Sequence, residues 1–272
     1  MRALLRPLRS AVRRSVRWVA AGPPRRRIDS ARELLAGRRP IVSVAECANS
    51  LGFSYAPSGW HYFTAMLRDF DRHAGPEGAL PPFEQFYEQY HHSTLAGLMG
   101  CDGRPGWPHD SEYLVPWSDR GLSFATDDVH QCGPRSPEAI RADVWGMWEL
   151  YRKIQAEGYR PARHRDGYIR GVFALRGSGD RRFLVTGGQH RCAILSHLGV
   201  EKFRAWLDPS QPIHFVRGSE LDSWPQVLSG RWSRDAAAEY FNLLFEFDGR
   251  ERAPDRLGIG PVLHGRSEGS PL

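Results

Sequence analysis

Phe183-Leu184-Val185-Thr186-Gly187-Gly188-Gln189-His190-Arg191-Cys192-Ala193-Ile194-Leu195-Ser196-His197-Leu198-Gly199 is the stretch whose reading decides the fold. Its opening residues make the short apolar run that a buried strand needs. Two glycines follow, then apolar residues at helical spacing, closed by Gly199 at the C-terminal end. A strand–glycine–glycine–helix junction aims unpaired backbone N–H groups and the positive end of a helix dipole at one point. His190 and Arg191, in the first helical turn, bring two more donors there. The combination suits a phosphate or another anion. A plainer reading stands beside it: a glycine turn with a solvated arginine and a capping histidine.

Upstream of this stretch, Asp166-Gly167-Tyr168 reads as a turn into a strand over residues 169–175. Gly177-Ser178-Gly179-Asp180 makes a hairpin turn, and residues 182–186 are the returning strand. Further upstream, Ser136-Pro137-Glu138 places a capping serine, a first-turn proline and a first-turn acid in order, which predicts a helix ending at Gly158. Ile140, Val144, Met147 or Trp148, Tyr151 and Ile154 supply its apolar stripe. Downstream, residues 203–207 and 213–216 are predicted strands, 221–228 a short helix, and Ser233-Arg234-Asp235 caps a helix carrying Tyr240, Phe241, Leu244 and Phe245.

The first half of the chain reads differently. A short helix near residues 30–37 precedes an apolar run over 40–45. Ser58 is the expected cap of a helix whose stripe is Trp60, Phe63, Leu67 and Phe70. After Pro81-Pro82 a second aromatic stripe follows with Phe83, Phe86, Tyr87 and Tyr90. Such stripes serve as core or as a ligand platform. His91 and His92 are adjacent, so they face different ways on a helix and make a poor metal pair. Residues 100–133 are rich in Gly, Pro and Asp and read as loop, the expected boundary between halves, with Trp117 packing it down.

Charge narrows the function classes. The formal net charge is +6, but residues 1–27 hold nine arginines and no acid. The remaining 28 cations and 31 acids leave the rest of the chain at −3, a poor balance for a broad nucleic-acid surface, although local basic patches stay open. Only Lys153 and Lys202 are lysines, an imbalance that fits GC-rich coding better than selection for phosphate contacts. The leader has two readings. Leu4, Leu5, Leu8, Val12, Val16 and Val19 alternate with arginines as in a basic amphipathic helix that touches anionic lipid or nucleic acid. Pro7 and Pro23-Pro24 instead suit a disordered leader. Its longest uncharged run is too short for a signal core or a membrane span, so the chain is expected to be cytoplasmic, with peripheral membrane contact through residues 1–27 open. Cys47, Cys101, Cys132 and Cys192 show no C-x-x-C and no zinc spacing, and read as reduced thiols. No metal site is expected.

The order of helix, Gly158-Tyr159-Arg160-Pro161, strand, hairpin, strand, Gly187-Gly188-Gln189-His190-Arg191, helix and strand resembles the ParB/sulfiredoxin-like superfamily over residues 136–210. Residues 40–133 and 219–246 resemble flanking regions of ParB-like proteins encoded among bacterial surface-polysaccharide genes. The implied fold is α+β: a small mixed sheet with helices over 134–246, preceded by a mostly helical aromatic-rich region at 28–133. The basic leader, 1–27, and a disordered tail, 247–272, flank them. The resemblance implies that the backbone of Gly187, Gly188, Gln189 and His190 cradles nucleotide phosphates. His190 and Arg191 would contact them, and Arg170 would face them from the neighbouring strand, where it can equally be solvated. The implied cofactor is ATP, CTP or another nucleotide with Mg²⁺.

Two activities of the superfamily do not carry over. Gln189 stands where sulfiredoxins have the reactive cysteine of Gly-Gly-Cys-His-Arg, and an amide cannot attack an activated sulfinic acid. Cys192 lies three residues on and does not replace it. Partition proteins carry a helix-turn-helix after this domain, whereas here 60 residues follow Pro212 without a basic recognition helix, so DNA is not an expected partner. Relatives that phosphorylate free serine need a carboxylate base. Asp166 and Asp180 flank the right strands, though each is also an ordinary turn residue, so Asp166 and Arg191 are the catalytic candidates. Three function classes remain: a nucleotide-binding phosphotransferase or switch, a non-catalytic scaffold acting with polysaccharide-synthesis partners, and nucleic-acid binding or nuclease activity.

Overall fold

The computed structural model describes residues 39–119, 121–123, 131–164, 167–177, 179–207 and 213–253. Its strands in chain order are β1 (Ile41–Ser43), β2 (Cys47–Ala48), β3 (Glu112–Tyr113), β4 (Leu122–Ser123), β5 (Ile169–Leu175), β6 (Arg181–Gly187), β7 (Lys202–Trp206) and β8 (Phe215–Arg217). The α-helices are α1 (Tyr62–His73), α2 (Leu80–Gln89), α3 (Leu95–Leu98), α4 (Pro137–Glu157), α5 (Gln189–His197), α6 (Pro225–Leu228) and α7 (Arg234–Glu246). The architecture is mixed α and β. The leader, the helix expected near 30–37, Asp166 and residues 254–272 lie outside the described residues.

Six strands form one mixed sheet in the order β1-β7-β5-β6-β2, with β8 also on β5. The β5–β6 hairpin is antiparallel and central, with Phe173 opposite Phe183. Phe183, Leu184 and Val185 are all buried, as expected of a strand covered on both faces. Along one edge of β5, β7 pairs in parallel with its first residues and β8 with its last. β1 runs antiparallel to β7 and β2 parallel to β6. The two short strands from residues 41–48 thus join the same sheet as the hairpin, and their buried Val42 and Cys47 join the same core. β3 and β4 form a separate two-stranded ribbon.

Local signals explain α4 well. Ser136 accepts from Ala139 N at 3.2 Å, Pro137 opens the helix, Glu138 sits in its first turn, and Gly158 ends it. Ser233 caps α7 in the same way, accepting from Ala236 N at 3.1 Å. Both aromatic stripes are buried, and α1 packs on α5 and α4. Trp117 is buried 5.4 Å from Trp224 and 5.6 Å from Tyr240, which pins the Gly/Pro-rich loop onto α7. All four cysteines are free and buried.

Several elements differ from expectation. Ser58 does not cap α1; Ser54 N donates to Trp60 O at 3.1 Å, so the chain is still looping at Ser58, and His61 caps instead. The run at 40–45 is not one strand: a 3-10 turn at Val44–Glu46 separates β1 from β2 and carries the chain between opposite edges of the sheet. The helix expected over 221–228 is a 3-10 segment at Gly218–Ser223 followed by the single turn of α6, because Pro225 has no N–H with which to continue a helix. The start of the expected tail is packed: Trp60 N donates to Asp248 O at 2.8 Å, and Arg182 donates to Phe245 O at 3.0 Å and Phe247 O at 2.8 Å. No helix among the described residues is long and apolar enough to cross a membrane.

Candidate functional site

Gly187 is the last residue of β6, and Gly188 precedes α5 in a left-handed conformation at φ 77° and ψ 33°. A residue with a Cβ adopts that conformation only with strain. The first helical bond runs from Cys192 N to Gly188 O at 3.0 Å. Helix geometry therefore gives the N–H groups of Gln189, His190 and Arg191 no carbonyl one turn back. With glycine before α5, no side chain caps this helix start.

Two guanidinium groups press on the glycines. A Cβ on Gly187 would stand 2.8 Å from Arg170 Nε, and a Cβ on Gly188 would stand 3.1 Å from Arg191 Nε and 3.2 Å from Ile169 Cα. The sheet register accounts for the first contact, because Arg170 lies opposite Gly187 across the hairpin. The helix accounts for the second, since Arg191 is in its first turn. Two cations, a row of backbone donors and a helix N-terminus thus converge on one turn, and each favours an anion.

Helix α1 seats the turn from behind. Tyr62 OH donates to Gln189 Oε1 at 3.3 Å, and the Phe63 ring meets His190 edge-on at 4.3 Å. The Gln189 side chain is therefore engaged with α1, leaving its backbone for the cradle. His61, wholly buried, stacks between Tyr55 at 4.1 Å and Tyr62 at 4.4 Å. Its Nδ1 accepts from Phe63 N at 3.2 Å, which places the proton of the neutral ring on Nε2. Burial, and then the nearby His190, push the His61 pKa well below its ordinary value. Below the same turn, burial and then Cys47 push the Cys192 thiol well up, so it stays protonated and is a poor nucleophile.

On the other side, Ile169 N donates to Tyr159 OH at 3.0 Å. Burial pushes the Tyr159 phenol up to about 12, against the backbone hydrogen bond and Arg191, which lower it. A cavity of about 100 Å³ opens beside it, between the end of α4 and residues 158–161, 164 and 167. Lys153, Arg160, His164 and Glu157 line it along with Leu150 and Ile154, and Arg191 is the wall it shares with the glycine turn.

Gly187, Gly188, Gln189, His190 and Arg191 are consecutive in the turn, and the strand pairing brings Arg170 beside them. Asp180 is not part of this group. It closes the hairpin at the far end of β6, where Arg176 N donates to Asp180 O at 2.9 Å and the two side chains pair at 2.7 Å. Seven residues of strand put it roughly 20 Å from the turn. Tyr62, Phe63 and Tyr159 were not singled out as site residues. Tyr62 and Phe63 sit within a core-type aromatic run, and Tyr159 stands in the sequence only as part of Gly158-Tyr159-Arg160-Pro161. Among the described residues, no three His, Cys, Asp or Glu side chains group as a metal site. Compared with protein-family models, curated proteins and solved structures, the chain matches none.

Proposed function

We propose that the chain is a ParB/sulfiredoxin-like protein that binds a nucleotide or another phosphate ligand at the Gly187–Arg191 turn. The observation that carries this reading is the seating of Arg170 and Arg191 against Gly187 and Gly188, at the start of a helix with no side-chain cap. Backbone donors of residues 189–191 take phosphate oxygens, and the two guanidinium groups clamp them from either side. The cavity beyond Arg191 takes the next part of the ligand, with Lys153, Arg160 and His164 matching further negative charge. A Mg²⁺ ion would come with the ligand's phosphates and offset their charge; among the described residues no three His, Cys, Asp or Glu side chains group to hold it.

Binding is the activity to which this reading commits. Phosphoryl transfer is its catalytic extension. Arg191 would stabilise developing charge on the transferred group, and Asp166, outside the described residues, is the candidate base from the sequence.

Thermal unfolding with ATP, CTP, GTP and pyrophosphate, each with and without Mg²⁺, tests the reading. A ligand at one hundred times its Kd adds about 2.7 kcal/mol of stability. At least one nucleotide is expected to raise the melting temperature of the wild type by several degrees and to leave Arg191→Ala nearly unmoved. No shift with any nucleotide, or equal shifts in the two proteins, contradicts it.

A further inference from the structure

The open side of the β1–β7 end of the sheet carries cations interleaved with aromatic rings. Along β7, Phe203 and Ala205 are buried, while Lys202 and Arg204 are exposed and Trp206 is half-buried on the opposite face. The register confirms the two faces: exposed Ile41 lies opposite Arg204, and buried Val42 opposite Phe203. Trp206 pairs with Arg170, and Arg170 in turn with Gly187, so this face runs along β7 and across β5 to the glycine turn. Tyr168, two residues before Arg170, meets Trp206 edge-on at 6.5 Å. Arg39 lies over the Tyr168 ring at 4.3 Å and donates to its hydroxyl at 2.6 Å, while Arg204 donates to Arg39 O at 3.3 Å.

A small phosphate ligand at the turn does not account for this arrangement. Lys202 lies about 13 Å along the strand from Trp206, and alternate side chains on one face step by about 6.6 Å. Cations repeated at that step suit a chain of phosphates rather than one group. The chain outside its leader sums to −3, so the basic balance of this face runs against the average. Exposed Glu201, next to Lys202, marks its far end.

We propose that this face binds a single-stranded nucleic acid, with the phosphate backbone along Lys202 and Arg204 and a base stacked on Trp206. A further phosphate reaches the Gly187–Gly188 turn; that contact alone rests on the phosphate reading above. Aromatic rings that accept any base, set among cations that follow the backbone, are the usual means of binding single strands. An anionic lipid surface would use the cations equally, but it gives no role to an aromatic ring held half-buried at sheet level beside Tyr168.

Fluorescence anisotropy of a labelled twelve-nucleotide dT strand with the full chain tests the proposal. The leader's arginines are the same in every protein compared, so differences between variants report on the face alone. Lys202→Glu with Arg204→Glu is expected to weaken binding at least ten-fold at low salt. It should also reduce the slope of log K against log salt by about 1.4, the value for two lost single-strand phosphate contacts. Trp206→Leu is expected to weaken the strand at least five-fold, to leave a polyphosphate of equal charge unchanged, and to be rescued by Trp206→Phe. Equal affinity of the wild type and the exposed double variant overturns the proposal. So does a Trp206→Leu loss equal for strand and polyphosphate, or tighter binding of phosphatidylglycerol vesicles than of the strand. Pyrophosphate binding separates the two readings: it should depend on Arg191 and ignore Lys202 and Arg204, and its absence sinks the turn without touching the rest of the face.

Discussion

Strand β6 has a glycine turn at each end, and the two differ in what surrounds them. At the hairpin end, a Cβ on Gly177 or Gly179 would meet nothing within 4 Å. At the other end, a Cβ on Gly187 or Gly188 would meet the head of an arginine at 2.8 Å and 3.1 Å respectively. The hairpin glycines serve the backbone. Gly179, at φ 88°, lets the chain reverse, and the Arg176–Asp180 pair closes the loop locally. At the second turn the missing side chains also make room for two cations beside the start of α5. Glycine content alone does not tell the two turns apart; what fills the space left by the absent Cβ does.

The comparison can be broken at several points. Gly188→Ala is expected to have the largest effect. It places a Cβ at φ 77°, which costs about 1–2 kcal/mol, and 3.2 Å from Ile169 Cα, a backbone atom that cannot swing aside. The melting temperature should fall, and the nucleotide-induced rise should vanish with it. Tyr62→Phe removes the hydrogen bond that holds Gln189 to α1, worth about 1 kcal/mol, without altering the backbone of the turn. Chemical denaturation should show that loss, with ligand binding weakened only slightly.

A pH series examines the support behind the turn. His61 has a depressed pKa in the folded protein, so only the unfolded chain takes up its proton as pH falls below about 6.5. The stability His61 allows above that pH is therefore lost progressively on acidification. His61→Asn keeps an acceptor for the start of α1 and removes the titrating ring. The fall in melting temperature between about pH 6.5 and pH 5 should then be shallower than in the wild type. A parallel fall in both proteins would show that His61 is not the group responsible. The smallest effect belongs to Gly177→Ala, expected within about 0.5 kcal/mol of wild type, because nothing lies near the added methyl.

The parts of the fold that could be read in the chain are those written locally. Ser136, Pro137 and Gly158 bound α4 because caps act on their own helix. The hairpin and the glycine turn are likewise specified by neighbours in sequence, which is why Gly187 through Arg191 could be named in advance. Arg170 follows from the resemblance alone, because its place opposite Gly187 depends on a bulge between Arg170 and Gly171; an unbroken hairpin register would set it opposite Thr186. What escaped is long-range. Tyr62 reaches Gln189 across 127 positions, and nothing in the aromatic run of α1 distinguishes that hydroxyl from the core rings around it. The turn that separates β1 from β2 answers to the two sheet edges it connects, so an apolar run over 40–45 carries no sign of it. The start of α1 moved from Ser58 to His61 because the backbone bond from Ser54 to Trp60 outweighs a good capping residue. Trp206 gained meaning only from its partners, Arg170 and Tyr168.

The most direct test sets one turn against the other: calorimetric titration of the best-binding nucleotide into Gly187→Ala and Gly179→Ala. Gly187→Ala leaves the backbone in an ordinary conformation but pushes the Arg170 guanidinium from its place. It is expected to melt close to wild type and to bind at least ten-fold more weakly. Gly179→Ala strains a left-handed residue by about 1 kcal/mol and touches nothing. It should melt lower and bind as tightly as wild type. Equal affinities in the two variants, or the weaker binding in Gly179→Ala, would contradict the account.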